Sequence, residues 1–323
     1  MTRLHKPVAP ALAALVCAVV LSGAIPALAL DWEAVYGEDI ILFSPGQASW
    51  EWVLTESDHS AAPSVRREKS CKDCHGGEEK DIGKLIASGK KLEPTPIEGR
   101  RGFLRLNVKA VVDDDRLYVR LAWAGLPRSP DRKMDPDYQS KVALMFTDGT
   151  VKSAESAGCW GACHNDMIGM PDAKEDQDLT KYLFASRTEI TRSGGGENYK
   201  SDGELEQLLS EGHFLELWRA KLNPGEPAAA VDGYVLDKRH ENEAPAISAI
   251  SAESEFRDGE WVVVLSRKLS QSGKGYLPFV SGEVYSIGFS VHEDFTAGRF
   301  HYVSLEYTLG IDNLEADIVA ERQ

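Results

Sequence analysis

Four of the chain's five cysteines fall into two short runs, and each run is closed by a histidine. Cys71-Lys72-Asp73-Cys74-His75 is the attachment signature of a c-type haem. The chemistry sets the spacing. Two thiols add to the porphyrin vinyl groups, whose separation fixes the spacer, and the next residue swings under the ring as the proximal iron ligand. Cys159-Trp160-Gly161-Ala162-Cys163-His164 repeats the pattern with one more residue between its cysteines, which a bulge at Gly161-Ala162 can absorb. Cys71, Cys74, Cys159 and Cys163 are therefore expected to carry two covalent haems, with His75 and His164 on the irons. Four thiolates in two pairs could instead hold zinc, or the pairs could close as disulfides. Either alternative leaves the histidine after each pair unexplained.

An electron-carrying haem iron is normally six-coordinate, and the ligand on its far face tunes the potential: histidine lowers it, methionine raises it. For the first haem the expected distal ligand is His59, on a loop before Cys71 that can fold back over the ring. For the second, His213 and His301 are open candidates. Met167 and Met170 follow His164 too closely to reach the opposite face and are expected to cover the haem edge. His240, in a charged loop, and His292, on a polar strand face, receive no role. Glu78-Glu79 reads as a solvated turn, and Asp172–Asp178 and Glu253–Asp258 read as charged loops. No Ser-His-Asp set, phosphate-binding loop or paired-carboxylate signal stands out.

The N-terminus bears on the cysteine count. Arg3, His5 and Lys6 precede an apolar run from Val8 to Leu21, and Ala27-Leu28-Ala29 supplies small residues for cleavage. Residues 1–29 read as a secretory signal peptide; the run is short for a membrane span. Cleavage would remove Cys17 and shift the net charge of −15 to about −17 through loss of Arg3 and Lys6. The expected mature protein is soluble, acidic and periplasmic. Its charge argues against nucleic acid and favours basic redox partners.

Certain elements must position these motifs. Residues 30–98 read as a small, partly helical haem module. Ile82, Leu85 and Ile86 recur at helical spacing between Asp81 and Leu92, Gly89 marks a stop, and Pro94 and Pro96 form a boundary. From Phe103 the period becomes two. Leu104, Leu106, Val108 and Ala110 turn at Asp113-Asp114-Asp115 into Leu117, Val119, Leu121 and Trp123, a hairpin with one buried face. Val142–Phe146 is apolar on both faces, as in a central strand. Alternation resumes at 261–265, 285–291 and 301–309. The expected fold is mainly β, a β-sandwich over 99–312 with a tail at 313–323. Residues 150–240 read as a long insertion holding the second motif, the Gly194-Gly195-Gly196 turn and a helix from Ser201 to Glu211 that stops at Gly212.

The run Gly158–His164 with Met167 and Met170-Pro171, preceded by Val142–Phe146 and followed by Leu215–Lys221, resembles the ethylbenzene dehydrogenase-related cytochrome c-552 family. Ser49–Leu54, His59 and Cys71–His75 resemble the extra haem module of its dihaem members. The resemblance implies a β-sandwich holding haem near one edge, similar to the γ subunit of ethylbenzene dehydrogenase and related molybdenum enzymes. It also implies electron transfer rather than substrate chemistry. Met145 matches the family's Ala-Leu-Met strand and Lys221 its lysine, which adds both to the distal candidates for the second haem. There are two departures. The γ subunits hold haem b non-covalently through Met and Lys, whereas this chain offers thioether cysteines. Many relatives read Trp-His-Trp-Lys where this chain reads Trp218-Arg219-Ala220-Lys221. Expected partners are redox proteins, among them a molybdenum oxidoreductase. The competing expectation is a haem enzyme with an open coordination site; a haem sensor would need an output domain that the sequence lacks.

Overall fold

The computed structural model describes residues 26–48, 50–126, 134–164, 181–189, 198–242 and 248–323. The protein is mainly β. Strand β1 (Glu38–Phe43) is followed, after the first haem-motif segment, by β2 (Phe103–Asp113), β3 (Arg116–Ala124) and β4 (Ser140–Thr147). Two-residue strands β5 (Cys163–His164) and β6 (Lys181–Tyr182) form a separate small pair. Then come β7 (Leu215–Leu222), β8 (Ala229–Val235), β9 (Arg239–Asn242), β10 (Ile250–Arg257), β11 (Glu260–Lys268), β12 (Val284–His292), β13 (Tyr302–Val303), β14 (Tyr307–Ile311) and β15 (Ile318–Arg322).

The main sheet runs β10-β11-β3-β2-β1-β13-β12-β4-β7-β8-β9, and every pair along that path that is assigned a register is antiparallel. It folds over so that β7 and β8 pack against β10 and β11, giving the two layers of a sandwich. β14 and β15 close one side by joining β12 to β2. The expected hairpin is β2–β3. Asp113 pairs with Arg116, and Asp114 takes the left-handed conformation the tight turn demands. All of β4 is buried, which is why its sequence does not alternate. Trp218 of β7 packs on Phe146 of β4 at 4.8 Å, and Trp123 stacks with Trp261 at 6.2 Å, so aromatic rings fill the space between the layers. Within that core Glu216 and Arg267 form a fully buried ion pair, and Glu216 also accepts from the Trp218 indole and the Leu277 amide.

Three expectations change. Glu253–Asp258 was expected to be a charged loop, but most of it lies in β10, an edge strand whose hairpin with β11 turns at Asp258-Gly259, both at positive φ. Charges on an edge strand keep it from pairing with other chains, which disguises its alternation. The end of the expected insertion, from 215 to 240, is built into the sheet as β7, β8 and the start of β9; buried Glu216 and Asp232 break the apolar pattern that would have revealed the first two. Residues 313–323, expected as a tail, include β15, whose Ile318 and Ala320 are buried through parallel pairing with β14 and β2.

The N-terminal segment contributes α1 (Trp50–Val53), α2 (Ala62–Val65), α3 (Lys72–His75) and α4 (Glu79–Ala87), while α5 (Lys152–Ala157) precedes the second motif. α6 (Asp202–Ser210) is the expected helix, opened by a capping box between Ser201 and Glu204. α4 ends at Ala87 with Ser88 as its cap, at the stop that the left-handed Gly89 was expected to mark. It lies on the sheet at Gly83, where a Cβ would come within 2.2 Å of the Gly102 carbonyl. A buried ion pair between Glu93 and Arg299, 2.7 Å, pins the end of the segment to the β layers.

Candidate haem site

The first motif is one helical turn. The His75 amide donates to the Cys71 carbonyl at 2.9 Å, so positions 71, 74 and 75 lie on one side, as i, i+3 and i+4 residues must. That side borders a cavity of about 870 Å³, open solvent at its mouth included. Its walls are apolar: Val53, Val65, Ile82, Leu85, Ile86 and Leu92. The predicted face of α4 is therefore one wall, and Leu85, 43% exposed, is part of it. Trp52 and His59 complete the lining from the opposite side.

His59 and His75 face each other across this space with ring centres 6.2 Å apart. Two metal–nitrogen bonds of about 2.1 Å, with about 1.1 Å from each nitrogen to its ring centre, sum to about 6.4 Å. The separation therefore leaves room for one metal ion bound by both rings. The second nitrogen of each ring is already engaged. Nδ1 of His59 donates to the Val53 carbonyl at 3.1 Å, and Nδ1 of His75 lies 3.1 Å from the Glu78 carboxylate. Metal-ligating histidines are held in this manner, which fixes the tautomer and offers Nε2. Burial keeps the His59 ring below the ordinary imidazole pKa, favouring its neutral, ligand-competent form. Glu78 is thus no idle turn residue: it orients His75, and its i, i+3 spacing was the available signal. Burial pushes the Cys71 thiol up to about 12 and the Cys159 thiol up to about 11, unlike a nucleophilic thiolate. Cys71, Cys74 and Cys159 are free thiols, and among the described residues no three His, Cys, Asp or Glu side chains converge as a zinc cage would.

The second motif begins in a 3₁₀ turn, Gly158–Gly161, set against β12. Three glycines permit the fit. A Cβ on Gly158 would come within 2.5 Å of the Leu305 carbonyl, one on Gly161 within 2.4 Å of Ala154, and one on Gly288 within 2.7 Å of the Cys159 amide. The backbones of Cys163 and His164 then pair with Tyr182 and Lys181. The side chains of Cys163 and His164 lie outside the described residues, as do Met167, Met170, Asp172–Asp178 and Gly194–Gly196. The two motifs meet. The Cys71 amide donates to the Ser156 carbonyl at 2.8 Å, and the Lys72 amide to Glu306 at 2.9 Å, next to Leu305, against whose carbonyl Gly158 rests.

The remaining candidates separate by position. Met145 pairs with Gly288 across β4 and β12, so it shares the sheet face on which Cys159 sits and is 4% exposed. Lys221 is on the same face but four residues further along β7 than Leu217, the cross-strand partner of Met145; its ammonium lies over Tyr138. His301 is buried beside His292, with ring centres 5.1 Å apart. His292, expected on a polar face, shares the Gly288 face, and burial holds its pKa well below the ordinary value. His240 stacks on Tyr234 and bonds Asp237, and His213 precedes β7; neither is brought to a motif cysteine.

A profile of the family described as Ethylbenzene dehydrogenase matches residues 84–246. The chain is 36% identical over 304 residues to cytochrome c-552 of Stutzerimonas stutzeri, covering 93% of this chain and 94% of that protein. It is 29% identical over 299 residues to cytochrome c-551 of Rhodocyclus tenuis, covering 91% and 99%. Among solved structures, a family 9 carbohydrate-binding module from Caldicellulosiruptor kristjanssonii in complex with cellotriose aligns with 63% of this chain and 65% of its own, at 11% identity and a TM-score of 0.28. That score is too low to carry an argument.

Proposed function

The chain belongs to the ethylbenzene dehydrogenase-related cytochrome c-552 family, and from that premise we propose that it is an exported dihaem c-type cytochrome that carries electrons. The observation carrying this reading is the pair His59 and His75, 6.2 Å apart across a cavity that the cysteines of the first motif line. Bound there, a haem supplies a one-electron ferric/ferrous couple.

The chain's own residues do the rest. Cys71 and Cys74 would hold the haem covalently, His75 and His59 would offer Nε2 to its iron, and Glu78 and the Val53 carbonyl hold those imidazoles in place. The apolar wall from α4 and Trp52 excludes water, which favours a couple that changes charge without changing ligands. At the second motif Cys159, Cys163 and His164 repeat the attachment, and Met145 is the distal candidate supported by its shared face with Cys159. The junction at Cys71 and Ser156 brings the two motifs next to each other, as successive stations of a carrier require. Export is supported by the leader-like residues 1–29, of which 1–25 lie outside the described residues. No helix among the described residues is long and apolar enough to cross a membrane. The partners proposed are redox proteins, a molybdenum oxidoreductase among them.

The test is to produce the protein with a working cytochrome maturation system. The mature mass should include two haems, and low-temperature EPR of the oxidised protein should show two low-spin ferric signals. His59→Ala should convert one signal to high spin and leave the other. A high-spin signal in the unaltered protein would point instead to an open iron and haem-enzyme chemistry, and a colourless product would remove the reading altogether.

A further inference from the structure

The cavity beside the first motif has an uneven charge distribution. Among the described residues no carboxylate lines it. Apart from the two histidines, its ionisable lining groups among those residues, other than thiols, are Lys69 and Lys91, both exposed. Neither ammonium is engaged with a carboxylate among the described residues. They approach from separate segments. Lys69 leads into the motif, and Lys91 follows α4, close enough to His59 for its charge to act on that ring. This is notable on a chain whose net charge is −15.

A haem held by thioethers brings two carboxylates, and no other charged group at its periphery. Pushing either against Val65, Ile82 or Leu92 would strand an unpaired charge in an apolar wall, which is strongly unfavourable. The mouth is where two cations wait and water can help. We propose that Lys69 and Lys91 take the two propionates of the haem attached through Cys71 and Cys74, and so fix which edge of the ring faces solvent. This inference rests on the haem reading of the cavity. Both lysines are exposed, so each contact is weak in energy; its consequence is ionisation state and orientation. Two cations hold the propionates ionised, and they offset negative charge that would otherwise favour ferric iron.

The experiment uses the mature holoprotein with Lys69→Gln, Lys91→Gln, the double variant, Lys→Arg at both positions, and Lys90→Gln as a neighbour that does not line the cavity. Haem content by mass comes first, so that failure of the haem reading is seen separately. The readouts are the midpoint potential of the His59/His75 haem across about pH 5–8 and the propionate bending bands in resonance Raman spectra. In the unaltered protein the potential should be nearly flat with pH. In the double variant it should fall at the alkaline end and rise as pH drops, with a slope approaching one proton per electron, because the released propionates now protonate on reduction. Each single variant should show part of this change together with shifted bending bands. The arginine variants should restore the original behaviour, and Lys90→Gln should leave it untouched. If the glutamine variants, single and double, match the unaltered protein in potential, slope and bands, the assignment is overturned. Shifts of equal size from Lys90→Gln would overturn it as well.

Discussion

His59 and His75 are made useful by nitrogens that never face the cavity. The Nδ1 contacts to the Val53 carbonyl and the Glu78 carboxylate decide which nitrogen each ring presents. An anionic acceptor on His75 also makes that imidazole a stronger donor, which favours ferric iron. Glu78→Gln should therefore raise the midpoint potential of the first haem while the low-spin EPR signal persists. The Glu78 side chain is 62% exposed, so solvent screening limits the rise. Spectroelectrochemical titration reads the effect, and an unchanged potential would deny Glu78 its orienting part. At this scale the sequence was informative where chemistry demands adjacency. The cysteines and His75 stood out as candidates because thioether attachment requires them side by side, and His59 because its loop precedes the motif; the fold brings Cys71, Cys74, His75 and His59 to one cavity. Glu78 carried only its i, i+3 spacing to His75 as a signal, and Lys69 and Lys91 carried none, since their relevance depends on a cavity that exists only after α3 and α4 fold.

Strand β12 shows how an element rather than a side chain prepares a site. At Gly288 the sheet offers a bare patch, and the Cys159 amide and thiol settle onto it with no space for a Cβ. Met145 flanks the same patch from β4. Gly288→Val should keep the sheet, by far-UV circular dichroism, while the mass of the mature protein shifts from two haems toward one. Retention of both haems would mean that the turn can reseat elsewhere. The alternation of β2, β3 and β11 was legible because the main core lies on one face, with only a small cluster of Ala27, Trp32, Val111 and Val264 on the other. β10 was hidden by its charges as an edge strand, and β7 and β8 by the polar residues Glu216 and Asp232, which are buried with partners. The end of α4 was legible in Gly89, whose left-handed conformation halts the helix, while Leu92 beyond it belongs to the cavity wall.

Across the whole molecule, the negative charge of −15 and the local basic rim act at different ranges. Long-range steering follows the total, so the rate of electron exchange with a small basic c-type cytochrome should fall as salt rises. The screening length shrinks from about 30 Å at 0.01 M to about 3 Å at 1 M. Stopped-flow reduction rates over that span measure it. A rate that climbs with salt would mean that like charges meet at the docking face. The division into a module and a β domain, expected from composition, understates their contact. β1 is a strand of the main sheet, Glu93 is paired with Arg299, and Cys71 is bonded to Ser156.

Cys71 and Cys159 are 6% and 2% exposed in the finished molecule, each shut in by the segment that carries the other motif or by the strand beneath it. An enzyme that ligates porphyrin to sulfur needs to grip both partners. Cys74 stays exposed in the finished molecule, whereas Cys159 offers no handhold once closed. Haem attachment at the second motif would therefore have to precede the collapse of that turn onto β12, and a chain that collapsed early would be locked out of it.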